Sequence, residues 1–232
     1  NVDIKWETTH MANVGLDLGV LNNQLNLSVE YFNNRTKNMI IQLPIPPSLG
    51  YDGLPFANVG EVENRGLEIE LGYEKATGDF TYSISGNIAF IKNEVLSLGD
   101  EGTTIARGDW YGDNLTLTKV GEPIGFFNGY VVDGIFQEGD DRSMQPNARP
   151  GDIRFKDVNG DGVLDPSDKT NIGHYMPDFT YGINFSANWK GFDASLFLQG
   201  VSGNEIYSIV RYDLEGMTRL FNASTAVLNR WT

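Results

Sequence analysis

The 232 residues carry 17 basic and 31 acidic side chains, a formal net charge of −14, and no cysteine. So acidic a chain lacks the basic stripe that neutralises phosphates, which excludes a nucleic-acid binder, and without cysteine it has no disulfide framework, thiolate metal site or thiol nucleophile. No run of about 18 apolar residues occurs, so no transmembrane helix is expected, and the opening NVDIKWETTH lacks the basic start and apolar stretch of a signal peptide, as expected of a mature or cut product.

From the N-terminus, alternation with period two dominates, which places successive side chains on opposite faces of a strand. QLNLSVEY sets Leu25, Leu27, Val29 and Tyr31 against Gln24, Asn26, Ser28 and Glu30. It predicts strands over 12–21 and 24–38, joined at Asn22-Asn23 as a two-residue hairpin turn. GLEIELGYE and DFTYSISGNIAF repeat the pattern, with Leu67, Ile69, Leu71 and Tyr73, then Phe80, Tyr82, Ile84, Ile88 and Phe90 on the apolar side. They predict strands 61–75 and 79–93, turning at Ala76-Thr77-Gly78. A more ragged pair, 114–120 and 124–136, would turn at Gly121-Glu122-Pro123. TYGINFSANW and its successor predict strands 178–189 and 192–200, turning at Lys190-Gly191. The long connections 39–60, 94–113, 137–177 and everything after 200 are rich in Gly, Pro, Asp and Asn and read as irregular. Within the last, Leu214, Met217, Leu220 and Phe221 recur at helical spacing, continued by Val227, Leu228 and Trp231, which predicts a short amphipathic helix.

The connection 137–177 contains DVNGDGVLDPSD. Calcium takes six to eight hard oxygen ligands, and a twelve-residue loop supplies them from positions one, three, five, seven, nine and twelve, with Gly at six for the sharp turn. Those positions hold Asp157, Asn159, Asp161, the Val163 carbonyl, Asp165 and Asp168, with Gly162 at six. Position twelve is Asp instead of Glu, and the approach GDIRFKD reads as extended, so no helix pair flanks the loop. A structural calcium ion that rigidifies a long loop is the expectation; a network of Asp, Asn and Gly turns bonding to its own backbone is the alternative.

Strands in which tight turns alternate with long connections fit an outer-membrane barrel, whose turns are short on the periplasmic side and whose loops are long outside. Aromatics should then gather near the turns, and Tyr73, Phe80, Trp189 and Phe192 flank two of them. A soluble antiparallel sandwich explains the alternation but not the rhythm of connections.

The segments ANVGEVENRGLEIELGYE, VGEPIGFFNGYVVDGIFQ and PGDIRFKDVNGDGVLDPSDKTNIGHYMPDFTYGINFSANWKGFDASLFLQGVSGNEIY resemble the SusC/RagA family of TonB-linked outer-membrane transporters, from about residue 4 to the end. The resemblance implies an all-β fold, an antiparallel transmembrane β-barrel fragment with about eight strands of a 22-stranded, plugged barrel. It implies a multi-pass protein of the outer membrane of a Gram-negative bacterium, facing the lipid bilayer. Such a protein works with a SusD-like surface lipoprotein and with TonB to import oligosaccharides or peptides. Residues 1–232 are then part of the barrel wall without plug or closing strands, 137–177 an extracellular loop carrying the calcium loop 157–168, and 201–232 a further extracellular loop with the helix.

Polar residues Asn26, Glu30, Glu68, Glu70, Asn87, Asn184 and Asn188 would line the lumen, and Trp110, Tyr111, Phe126, Phe127 and Tyr130 are loop aromatics able to stack on sugars. The alternative function is a soluble calcium-dependent carbohydrate-binding module. An enzyme is not expected. Paired carboxylates across a cleft are not evident, and His10 and His174 belong to no recognisable motif.

Overall fold

A computed structural model describes residues 4–42, 55–110, 113–217, 220 and 222–231. Strands β1 (Thr8–Val20), β2 (Leu25–Gln42), β3 (Phe56–Thr77), β4 (Phe80–Leu98), β11 (Phe179–Trp189) and β12 (Phe192–Ser202) form one antiparallel six-stranded sheet in that order. Between β4 and β11 the chain makes β5 (Thr104–Trp110), β6 (Asp113–Lys119), β7 (Phe126–Gly129), β8 (Val132–Ile135), β9 (Ile153–Phe155) and β10 (Thr170–Asn171). Two compact units result: residues 1–126 with 174–204, and residues 127–173 with 205–232.

Three of the four predicted hairpins are present, two of them with shifted turns. Val20 pairs with Leu25, so the first turn spans four residues, with Leu21, Asn22 and Asn23 all left-handed; the two asparagines are the side chains that tolerate this region. Thr77 pairs with Phe80, so the second turn is Gly78-Asp79 and not Ala76-Thr77-Gly78. The third turns at Lys190-Gly191, as expected.

The predicted hairpin 114–120/124–136 is not formed as such. β6 pairs with β5, a strand hidden in the connection 94–113, and 124–136 breaks into β7 and β8. Gly121-Glu122-Pro123 is instead a turn docked on β4: the Gly121 amide donates to the Val95 carbonyl at 2.9 Å, and the Val95 amide donates to the Glu122 carbonyl at 2.9 Å. The continuous sheet therefore holds six strands where about eight were expected.

The three tight turns lie at one end of this sheet and the long connections at the other. At the long-connection end, Val62, Val95 and Leu98 are buried, with Met39, Ile41, Ile105 and Ile124 packed on them. Bulges between Thr36 and Met39 on β2, and opposite Glu61 and Val62 on β4, shift the register here, which brings Met39 and Leu98 to the face that already carries Val62 and Val95. Lower in the sheet, a Cβ on Gly66 would lie 2.2 Å from the Phe90 carbonyl and 2.6 Å from the Phe32 ring. Only glycine admits this approach, and the Phe32 ring covers the gap.

In the second unit β7 pairs with β10 and β8 with β9. Phe136 is buried, the Tyr130 and Phe155 rings lie 5.2 Å apart, and Arg154 bridges Asp133 and Asp140 at 3.0 and 3.3 Å. The C-terminal stretch forms α1 (Ile209–Glu215) and a 3-10 turn, Thr225–Asn229. Leu214 lies in α1, Met217 and Leu220 lie beyond it, and Phe221 is outside the described residues. The Trp231 indole covers Gly151, and its N–H donates to Gln137 at 3.1 Å.

Candidate functional site

Residues paired directly across strands share a face, so the register sorts every side chain of the six-stranded sheet. One row reads Leu18, Leu27, Leu71, Gly86, Ile183, Leu198; the next reads Val20, Leu25, Tyr73, Ile84, Phe185, Leu196. Leu27, Ile69, Ile84, Ile183 and Leu196 fall on this one face, as the alternation predicts. Its side chains are not enclosed: Leu71 is 49% exposed, Ile84 46% and Leu196 55%. A sandwich would bury them, so this face carries an open apolar band.

Aromatic rows bound the band. At the turn end Phe80, Trp189 and Phe192 are aligned by pairing, with Tyr82 at 5.6 Å from Phe80, Tyr73 at 5.9 Å from Tyr82, and the Lys190 ammonium 5.7 Å over the Trp189 ring. At the other end lie Tyr31, Phe90 and Phe179, the last two rings 5.7 Å apart. Phe80 and Phe90 are ten residues apart on β4, about 34 Å along the strand. At a barrel strand's tilt of about 40° this projects to roughly 26 Å, the height of a bilayer's apolar layer.

The opposite face is polar. Ser28, Glu30, Glu68, Glu70, Asn87 and Thr180 line a shallow depression of about 340 Å³, with Glu30 and Glu68 directly paired. The charged side chains sorted to this face are Asp17, Glu30, Glu68, Glu70, Glu74 and Asp193, all acidic. Asn26, Asn184 and Asn188 share it; Asn188 donates to Asp193. The face is polar and acidic, a charge pattern that disfavours anions. Of the loop aromatics, Phe126 is buried and therefore a packing residue, Phe127 and Tyr130 belong to the second unit, Trp110 is a β5 residue, and Tyr111 lies outside the described residues. His10 is a β1 residue. The His174 Nδ1 lies 2.6 Å from the Met176 carbonyl and its Nε2 lies 3.8 Å from Asp178, contacts that brace the turn into β11.

The loop 157–168 is closed by its own side chains. Both oxygens of Asp157 accept backbone N–H groups, from Gly160 at 2.6 Å and Gly162 at 2.8 Å. Asn159 accepts from the Asp161 amide and Asp161 from the Val163 amide. Gly162 is left-handed at φ +82°, as the sharp turn at position six requires. Asp168 is fully buried. Its carboxylate accepts from the amides of Val158 and Asp165 at 2.8 and 2.9 Å, and more distantly from Asn159 at 3.4 Å. A 3-10 turn, Pro166–Asp168, follows in place of a helix, with Asp165 and Asp168 capping each other's amides.

Ser167 enters the cluster, accepting from the Asn159 side chain at 2.8 Å, a contact the twelve-residue spacing does not announce. The six expected ligand residues are thus gathered on one small loop. Among the described residues, however, no three His, Asp or Glu side chains converge on a common point. The donor set is the hard-oxygen kind that suits calcium, and the bonds present are those of the turn network.

The Asp165 amide, first, and the Val158 and Asn159 amides hold the Asp168 carboxyl below its ordinary range against the opposing effect of desolvation. Stability from such a group is present above the unfolded carboxyl's titration and is lost as pH falls through the lower, folded value. Asp168→Ala should therefore speed proteolysis within 157–168 on the order of tenfold at neutral pH. The wild-type loop should open only in acid below the ordinary Asp range, as read by limited digestion with an acid-active protease.

The family described as TonB dependent receptor-like, β-barrel, matches residues 1–204. TonB-dependent receptor P3 of Formosa agariphila is 31% identical over all of this chain and 24% of its own length. TonB-dependent receptor SusC of Bacteroides thetaiotaomicron is 29% identical over 98% of this chain and 22% of its own. Among solved structures, the RagAB peptide transporter superposes with a TM-score of 0.79 at 23% identity, over 99% of this chain and 25% of that one; at that identity it attests the fold alone. This chain spans about a quarter of the length of these relatives. The matched family is one of receptors, not an enzyme class. With family, relatives and fold in agreement, this chain belongs to the TonB-dependent receptor β-barrel family, on its SusC/RagA-like side.

Proposed function

We propose that this chain forms part of the wall of a TonB-dependent importer in the outer membrane of a Gram-negative bacterium. It takes up oligosaccharides or peptides with a SusD-like surface lipoprotein as partner. The observation that carries the reading is the exposed apolar band, roughly 26 Å high, edged by aromatics and backed by a polar face. The family match and the kinship with SusC support the dependence on TonB and the lipoprotein partner. The acidic polar face favours neutral or cationic solutes over anionic ones. Deleting the gene for the intact polypeptide should abolish growth on one oligosaccharide or peptide mixture as sole carbon source, and the polypeptide should sediment with outer membranes and crosslink to a lipoprotein. A polypeptide that partitions into buffer would overturn the reading in favour of a soluble sugar-binding module.

The loop 157–168 is proposed to bind calcium as a structural ion through Asp157, Asn159, Asp161, the Val163 carbonyl, Asp165 and Asp168. The spacing and the left-handed Gly162 support it. The ion would offset the mutual repulsion of four carboxylates and stiffen the loop. Millimolar calcium should protect 157–168 from proteolysis in the detergent-solubilised protein, EGTA should reverse this, and Asp161→Ala should abolish the difference. Protection indifferent to calcium would leave only the turn network.

A further inference from the structure

Beyond Tyr31 and Phe90, on the same outward face, the apolar band gives way to charge. Arg65 pairs with Lys92 across β3 and β4, and Arg35 on β2 pairs with Glu63, which pairs with Glu94. His10 lies beside Arg35. The groups form a ladder of two ion-pair clusters set side by side. Arg65 reaches Glu63 at 3.0 Å and Glu94 at 3.5 Å, Lys92 reaches Glu94 at 3.1 Å, Lys37 reaches Glu61 at 3.7 Å, and Arg35 is bonded to Glu61.

The two signs are not presented equally. The side chains of Arg35, Lys37, Arg65 and Lys92 are 44, 44, 40 and 62% exposed, whereas those of Glu61, Glu63 and Glu94 are 20, 13 and 25% exposed. The acids lie beneath and hold the cations in place, and the surface shows cations. Exposed ion pairs contribute little to stability, so stability alone does not account for stacking them at one height. Lys92 and Glu94 stand two and four residues past Phe90, about 7 and 14 Å along a strand. That is headgroup depth beside an apolar layer. Guanidinium and ammonium groups fixed at that depth suit phosphate oxygens.

We infer that Arg35, Lys37, Arg65 and Lys92 form a binding site on the outer wall for the phosphate groups of an anionic lipid headgroup. The inference rests on the proposed membrane reading, because it requires the apolar band to face lipid. The glutamates are positioning residues that order the cations before the lipid arrives.

The test uses the intact polypeptide purified in a neutral detergent, titrated with micelles containing lipid A, a bisphosphorylated glycolipid. Its arms are micelles of phosphatidylcholine alone and competition by millimolar inorganic phosphate. The wild type should bind lipid A, and Arg65→Gln/Lys92→Gln should weaken binding at least tenfold. Lys92→Gln alone, the mildest change, should weaken it severalfold. Lys75→Gln, at the opposite end of the same face, should leave it unchanged. Heat-modifiable gel migration reports whether each variant is folded. Binding within twofold of wild type in the folded Lys92→Gln and double variants would overturn the site, and complete displacement by inorganic phosphate would overturn the lipid assignment. Failure of the polypeptide to reach membranes at all would instead sink the membrane reading.

Discussion

Leu71→Arg should destabilise the membrane-inserted barrel by about 2–4 kcal/mol, the cost of a cation at mid-depth on a lipid-facing strand. Leu71 sits midway between the aromatic rows, paired with Leu27 on one side and Gly86 on the other, and is 49% exposed. In water an exposed leucine replaced by arginine costs almost nothing, so a large penalty requires that the exposure be to hydrocarbon. The neighbouring substitution Glu70→Arg, at the same depth but on the polar face, should be tolerated within about 1 kcal/mol. Unfolding of the intact polypeptide in lipid vesicles by urea would read both. If Glu70→Arg proved the damaging change, the faces would be reversed; if neither mattered, the band would not meet lipid.

Val95→Asp should cost about 3–5 kcal/mol, compared with about 2 kcal/mol for Val95→Ala. Val95 is completely buried between Val62 and Leu98, so the aspartate removes apolar packing and places a carboxyl where no partner waits. Its backbone also clamps Gly121 and Glu122, so the damage should spread to the turn 121–123 before it reaches the band. Limited proteolysis should show new cleavage near 99–126, while heat-modifiable migration of the barrel persists. Loss of that migration at the same dose of urea as cleavage would instead make the small core integral to the barrel.

What was legible in the sequence followed strict alternation. Leu25, Leu27 and Val29, or Ile183 and Phe185, reveal their face because period two has no other reading over such a length. Legibility ended at the bulges. Leu96 is an extra residue between the pairs of Val95 and Ser97, and beyond it the parity inverts, so Leu98 joins the face of Val62 and Val95 where strict alternation would set it on the opposite one. β5 was hidden because TIARGDW is short and lies among Gly and Asp, and its partner β6 looked like the first strand of a different hairpin. The oxygen spacing of 157–168 was plain from the motif, but the role of Ser167 and the burial of Asp168 depend on the 3-10 turn that brings them inward. The charged ladder could not be read at all, since Arg65 and Glu94 meet only through a register fixed 29 residues apart.

Among the described residues, β1 and β12 are paired on one side only, and alternate residues along the thirteen of β1 direct their amides and carbonyls away from β2. Edges of that length are templates for further strands. A peptide confined to these six strands and released into water would add copies of itself side by side, its greasy faces stacking into ribbons, and would grow as fibrils. In the proposed barrel, neighbouring strands and surrounding lipid would keep the same sequence from polymerising.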